Sequence, residues 1–365
     1  MNGATPRAAA APRTLGGFSM HLAGQWPAVA MLVGMQGAFA AEPGAAVNCA
    51  HVRNSLLAST TGTATVNCDG SYAAIASHGL PTHAMMHGIT ATNLQVPIAQ
   101  DFTGANAWRI PLNPAIASTT TTAVDGPIGV AINGVPIFNP CKQGGCQHGD
   151  TKEQGELDLC NGHAGRADDY HYHAAPICMM AGKPASYWDT HPLAWALDGF
   201  AIFGYHNADG SVAERDGMCG GNTSPVANAP AGYSYHVTEA SPYVLSCFRG
   251  TPSPDLAHQR TKFRPLRKPP VQPFRVTSMR LLNDAADGYQ VLRFEAPRAF
   301  STSLNGGDSM SSPAGVNHIR YKALTGAALA ALLSQWPNAG KSACWEFQFG
   351  SGDSGPAQAT QSYCR

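Results

Sequence analysis

Two stretches of this chain repeat one another in order, and that echo limits the folds open to it. Gly129 to Pro140 reads GVAINGVPIFNP, and Trp195 to His206 reads WALDGFAIFGYH. Asn133-Gly134 and Asp198-Gly199 fall at the same place, each between apolar residues, which is a hairpin signal in both copies. Each copy is followed by a Cys-Gly element, Cys160-Asn161-Gly162-His163 and then Cys219-Gly220-Gly221-Asn222. Each then reaches Tyr-x-Tyr-His, at Tyr170 to His173 and at Tyr233 to His236, and closes on a cysteine, Cys178 or Cys247. Four landmarks in a kept order imply a duplicated β-unit, with halves at about 126–180 and 195–250 packed face to face.

The composition agrees with a mainly β chain carrying only short helices. With 39 glycines and 27 prolines in 365 residues and 13% charged residues, turns and short strands are favoured over long surface helices. The 23 basic residues balance 23 acidic ones, which argues against a nucleic-acid partner.

The start of the chain reads as a leader. Arg7 and Arg13 lie in an acid-free opening, and the apolar run Trp26 to Ala40 ends in Ala38-Phe39-Ala40, an A-x-A cleavage pattern. Residues 1–40 are therefore expected to be a signal peptide, with a secreted or periplasmic mature chain beginning near Ala41. No later stretch is apolar enough to span a bilayer.

All ten cysteines lie in the mature part, and export favours disulfides over thiolate chemistry. Spacing suggests local pairs: Cys49–Cys68, Cys141–Cys146, Cys160–Cys178, Cys219–Cys247 and Cys344–Cys364. The competing reading takes Cys160, His163 and Cys178 as zinc ligands.

Leu157 to Met179 is the window densest in groups that ligate metals or move protons. If Tyr170 to His173 is extended, His171 and His173 share one strand face and the tyrosines share the other. A His-x-His pair on one face brings two imidazoles to one ion. His163 is expected to join them, with His83 or His236 as a further ligand. His236 is the counterpart of His173, and the two are expected on neighbouring strands. Asp158 or Asp169 would orient an imidazole, and Tyr170 or Tyr172 would be spare ligands or hydrogen-bond donors. Neutral imidazoles suit Zn or Cu. No residue is assigned a catalytic role: there is no GxSxG, Walker loop or HExxH.

These blocks resemble the YHYH domain proteins, a bacterial secreted family, over roughly Asn67 to Gly250. The resemblance rests on GLPTH (79–83), GVAINGV (129–135), LDLCNGH (157–163), YHYH (170–173), LDGFAIFG (197–204), and YSYHVT with SPYVLSCFRG. In that family the second copy often carries a Cys-Asn-Gly-His-like element, where this chain has Cys219-Gly220-Gly221-Asn222. The resemblance implies no single activity.

The rest divides into a domain at 42–250, a Pro-rich basic linker at 251–275, and a small α+β module at 276–365. The module is expected to hold strands at Val276–Leu282 and Tyr289–Phe294, and a helix with an apolar face at Thr325–Trp336. Two functional classes stay open. One is an exported protein with a histidine-rich Zn or Cu site. The other is a non-catalytic, disulfide-stabilised structural or envelope/glycan interaction module, its surface built from the Tyr/His strands.

Overall fold

Short strands set by turn chemistry build this chain. The computed structural model describes residues 44–91, 97–123, 126–142, 144–164, 169–257, 278–283, 287–303, 309–336 and 338–364. The expected leader and most of the expected linker lie outside the described residues. Strand outweighs helix, 34% to 15%. Among the described residues no helix is long and apolar enough to cross a membrane.

Helix Gly44–Leu57 leads into β1 (Thr65–Cys68), β2 (Tyr72–Ala76) and β3 (Trp108–Pro111), an antiparallel sheet in that order. The next strand is β4 (Ile116–Thr122). Eight strands then make the central sheet: β5 (Pro127–Ala131), β6 (Pro136–Phe138), β7 (Gly162–His163), β8 (His171–Tyr172), β9 (Ala194–Ala196), β10 (Ala201–Phe203), β11 (Gly221–Asn222) and β12 (Ser234–His236). Their spatial order is β11-β12-β10-β9-β5-β6-β8-β7. From either edge the pairings run antiparallel, parallel, antiparallel, and the central pair β5–β9 is antiparallel.

The expectation of face-to-face halves is therefore corrected. The echoed segments lie edge to edge in one sheet, with Val130 opposite Trp195. Their inner strands β5 and β9 are apolar and buried on both faces, so joining them satisfies the backbone ladder that separate sheets would leave open. Both hairpins use the same turn. Gly134 N–H donates to Ala131 O, and Ala131 N–H to Val135 O; Gly199, Ala196 and Phe200 repeat the pattern. Gly134 and Gly199 have φ of 83° and 93°, a conformation glycine adopts without a Cβ penalty.

The core lies around this sheet. Trp108, Trp188, Trp195, Tyr170, Tyr172 and Tyr235 are all buried there, and Trp195 Nε1 donates to Ser55 Oγ of the first helix at 2.8 Å. After β12, β13 (Cys247–Gly250) pairs with β4. Pro254–Leu256, inside the expected linker, docks onto the fold: Asp255, the one acid of 249–275, is buried and held by the Arg109 guanidinium and backbone N–H.

The C-terminal part is an antiparallel sheet with a separate hairpin. Its strands are β14 (Ser278–Asn283), β15 (Gln290–Ala296), β16 (Phe300–Ser303), β17 (Ser309–Ser312), β18 (Gly315–Ala323), β19 (Cys344–Ser351) and β20 (Ala357–Cys364). The order is β14-β15-β18-β19-β20, with β16–β17 apart. Residues 42–365 cluster as one compact unit, and Met85 N–H bonds Met279 O while Tyr321 OH accepts from Ala99 N–H. The helix, Gly326–Leu333, is shorter than expected; it fully buries no residue, and Leu329, Leu332 and Leu333 form a half-buried apolar face.

All five expected disulfides are present and no cysteine is free. The Cys160/His163/Cys178 zinc reading falls with them, since a disulfide sulfur is not a thiolate ligand. Cys160–Cys178 closes a separation of 18 residues. Replacing both cysteines with serine should cost ~3 kcal/mol on the chain-entropy model, read as a lower urea midpoint at unchanged slope. An unshifted midpoint would show that the bond constrains nothing.

Candidate metal centre

The site is made by one two-stranded edge of the central sheet. β7 and β8 pair antiparallel with His163 opposite His171 and Gly162 opposite Tyr172. Strand alternation sends His171 and its i+2 neighbour His173 to one face, and Tyr170 and Tyr172 to the other. His173 N–H donates to Asn161 O at 3.0 Å, which brings the residue after the strand back against the Cys-Asn-Gly-His turn.

The three imidazoles face one another edge-on. Ring centroids are 4.9 Å apart for His163–His171, 5.0 Å for His163–His173 and 4.9 Å for His171–His173. Each ring offers a nitrogen, and the three lie within 4.8 Å of one another. His163 Nε2 and His173 Nε2 are 3.1 Å apart. A tetrahedral ion with bonds near 2.0–2.1 Å asks for about 3.3 Å between ligand nitrogens, so one pair is already at that spacing. All three residues are buried, and the Phe138 ring stacks on His171 at 3.9 Å.

Neighbours fix two of the tautomers. His171 Nδ1 donates to the Asp169 carboxylate at 3.0 Å and to the Asp169 carbonyl at 3.1 Å. His173 Nδ1 donates to the Asn139 backbone carbonyl. A carbonyl or carboxylate can only accept, so in the neutral form of either ring the proton sits on Nδ1 and Nε2 carries the lone pair. His163 Nδ1 is buried without a regular hydrogen bond, and the Glu156 backbone carbonyl favours a proton on that ring. A proton moved to His163 Nε2 to bridge toward His173 would strand Nδ1 as a buried lone pair.

Burial, then the neighbouring imidazoles, hold His163 and His173 well below the ordinary histidine range. In the metal-free protein this sets the sign of the pH dependence. Below about pH 6.5 the unfolded chain takes up protons that the folded rings refuse, so stability is full above that pH and lost as pH falls through the window beneath it. The expected slope is up to ~1.4 kcal/mol per pH unit for each ring. His78, His83 and His236, lowered by burial, push the same way. Urea midpoints at pH 7.5, 6 and 5 read the effect, and a flat profile would contradict it.

The other expected site residues lie elsewhere. His236 is corrected first: β12 is separated from β8 by four strands, roughly 24 Å at normal strand spacing. Its Nδ1 donates to Gly204 O. His83 sits on the tyrosine face, its Nε2 accepting from Tyr172 OH at 2.6 Å and its Nδ1 donating to Ala84 O. Tyr170 OH donates to Asp158 Oδ2, and Tyr172 OH also accepts from Asn133 Nδ2, so both phenols are engaged on the face away from His163, His171 and His173. Asp158 orients no imidazole; it accepts from the backbone N–H groups of Met86, Cys160 and Gly162. Asp198 anchors Tyr235 OH and Gly250 N–H, more than a turn role. His318, buried in the C-terminal sheet, donates from Nδ1 to Gly352 O. Sequence reading missed Phe138 and the Asn139 carbonyl; the echo marked their segment, but a backbone carbonyl has no sequence signature.

Residues 107–216 match the family model described as YHYH protein. The match supports assigning that span to the YHYH family. The match covers the whole three-histidine cluster and stops short of β12, inside the wider 67–250 of the sequence resemblance. No curated protein and no solved structure matches the chain. The YHYH tetrapeptide thus serves two sides of one strand: its histidines face the cluster, and its tyrosines anchor Asp158, Asn133 and His83.

Proposed function

We propose that this YHYH protein binds one zinc or copper ion outside the cytoplasm through His163, His171 and His173. The convergence of three buried imidazole nitrogens, two with tautomers set by neighbours, is the observation that supports this. Asp169 and the Asn139 carbonyl would orient His171 and His173, and burial keeps His163 and His173 neutral and ready to donate. Bound there, the ion would supply Lewis acidity or, for copper, electron transfer. Five disulfides fit an oxidising compartment.

A second reading, that the histidines only brace a disulfide-rich fold, draws on their near-complete burial. The envelope or glycan variant loses its surface, because Tyr170, Tyr172, Tyr233 and Tyr235 are all buried. Elemental analysis of purified exported protein separates the readings. One zinc or copper per chain is expected. Excess chelator should remove stabilisation of about 2.7 kcal/mol where free ion stood at a hundred times Kd. Metal-free protein whose stability ignores both ion and chelator would establish the bracing role.

A further inference from the structure

We propose that the half of the sheet around β11 and β12 is a second metal cradle with two of its three ligands exchanged. Asn222→His together with Ser234→His would turn it into a site for the same class of ion. This rests on the three-histidine reading above.

The backbone frame matches in strand pairing and register where the ligand side chains do not. Asn222 and Ser234 are cross-strand partners, as His163 and His171 are, and Gly221 faces Tyr235 as Gly162 faces Tyr172. β12 runs parallel to β10 with Tyr235 beside Ile202, as β8 runs parallel to β6 with Tyr172 beside Ile137. His236 Nδ1 bonds the Gly204 carbonyl one residue past Phe203; His173 Nδ1 bonds the Asn139 carbonyl one residue past Phe138. His236 N–H meets Gly220 O at 3.3 Å, where His173 N–H meets Asn161 O at 3.0 Å. Asp216 collects the N–H groups of Met218, Cys219 and Gly220 and the Tyr233 hydroxyl, the part played by Asp158 with Tyr170.

The same close approach recurs. A Cβ on Gly162 would lie 2.5 Å from the Tyr170 phenol, and one on Gly221 would lie 2.7 Å from the Tyr233 ring. Both turns are locked by a disulfide, Cys160–Cys178 and Cys219–Cys247. What differs is how the polar groups are satisfied. Asn222 Nδ2 donates to Asn207 Oδ1 and Glu214 O, and Ser234 Oγ lies 3.4 Å from His236 Nε2. Hydrogen bonds thus fill the place that imidazoles fill in the first half. His236 remains with its Nδ1–H committed to the Gly204 carbonyl and its Nε2 facing Ser234 Oγ, with the Arg215 charge and then that of Asp189 acting on the ring in opposite senses.

The test is zinc stoichiometry of purified, disulfide-intact protein after equilibration with zinc and desalting. Wild type should hold one equivalent and the Asn222→His/Ser234→His variant two. Wild type with one and a folded double variant with one overturns this proposal alone. Wild type with none overturns the three-histidine site and this proposal with it. Ser234 is fully buried, so the double variant can fail to fold. Asn222→His alone, at a half-buried position, should then gain at least ~10-fold in affinity for added Cu²⁺ at the second half. The gain should vanish when His236→Ala is added. Equal affinities with and without His236→Ala overturn the proposal.

Discussion

His171→Ala should reduce bound zinc or copper from one equivalent to background, a loss of affinity above ~100-fold. Removing a group that merely orients a ligand costs 10–100-fold, and a direct ligand costs more. His171 is the ring to test, because it is held on three sides: by Asp169 at Nδ1, by Phe138 stacked on its face, and by the other two imidazoles. Asp169→Asn should fall between, near the 10–100-fold range, since the imidazole stays and loses only its carboxylate acceptor. His171→Gln keeps a donor for Asp169 and guards against loss of fold. His148→Ala, at an exposed position, should change nothing. Equal metal content in wild type and a folded His171→Ala would place the ion, if any, elsewhere.

Asp158→Ala should be the most destabilising single change near the site, at roughly 3–5 kcal/mol. Asp158 is buried, and its Oδ1 accepts from Cys160 N–H at 2.8 Å and Gly162 N–H at 3.0 Å. Its Oδ2 accepts from Met86 N–H at 2.7 Å and Tyr170 OH at 2.8 Å. Truncation leaves four donors buried without that acceptor, each worth about 1–3 kcal/mol and not additive. The same carboxylate shapes the turn that presents His163, so metal affinity should fall with stability. Asp209→Ala, in an exposed turn, should stay near 0.5 kcal/mol. Chemical denaturation of the two variants makes the comparison, and a loss under ~1 kcal/mol for Asp158→Ala would mean that water replaces the carboxylate.

Most of what was legible in the sequence was local. The five cysteine pairs follow from spacing in a chain expected to be exported, and each bond spans a separation of at most 28 residues. The opposite faces of His171/His173 and Tyr170/Tyr172 follow from the two-residue strand period. The hairpins at Asn133-Gly134 and Asp198-Gly199 follow from turn chemistry, since glycine takes the positive φ there. His163 joining the pair needed only the neighbouring turn and the Cys160–Cys178 bond.

What the sequence could not decide is where distant strands meet. The parallel pairings β6–β8 and β10–β12 are non-local, and no residue pattern announces which inner edges will join. The β5–β9 union set the halves edge to edge and so removed His236 from the cluster it resembles. It was likewise tertiary packing that gave His83 to Tyr172 and Asp158 to the backbone, because a buried polar group takes whatever partner the fold brings within reach. The chain's own order of residues determined three histidines on a turn and a strand. Only the folded sheet decided that these three, and no fourth among the expected ones, share one point, and that a backbone carbonyl at Asn139 holds one of them in place.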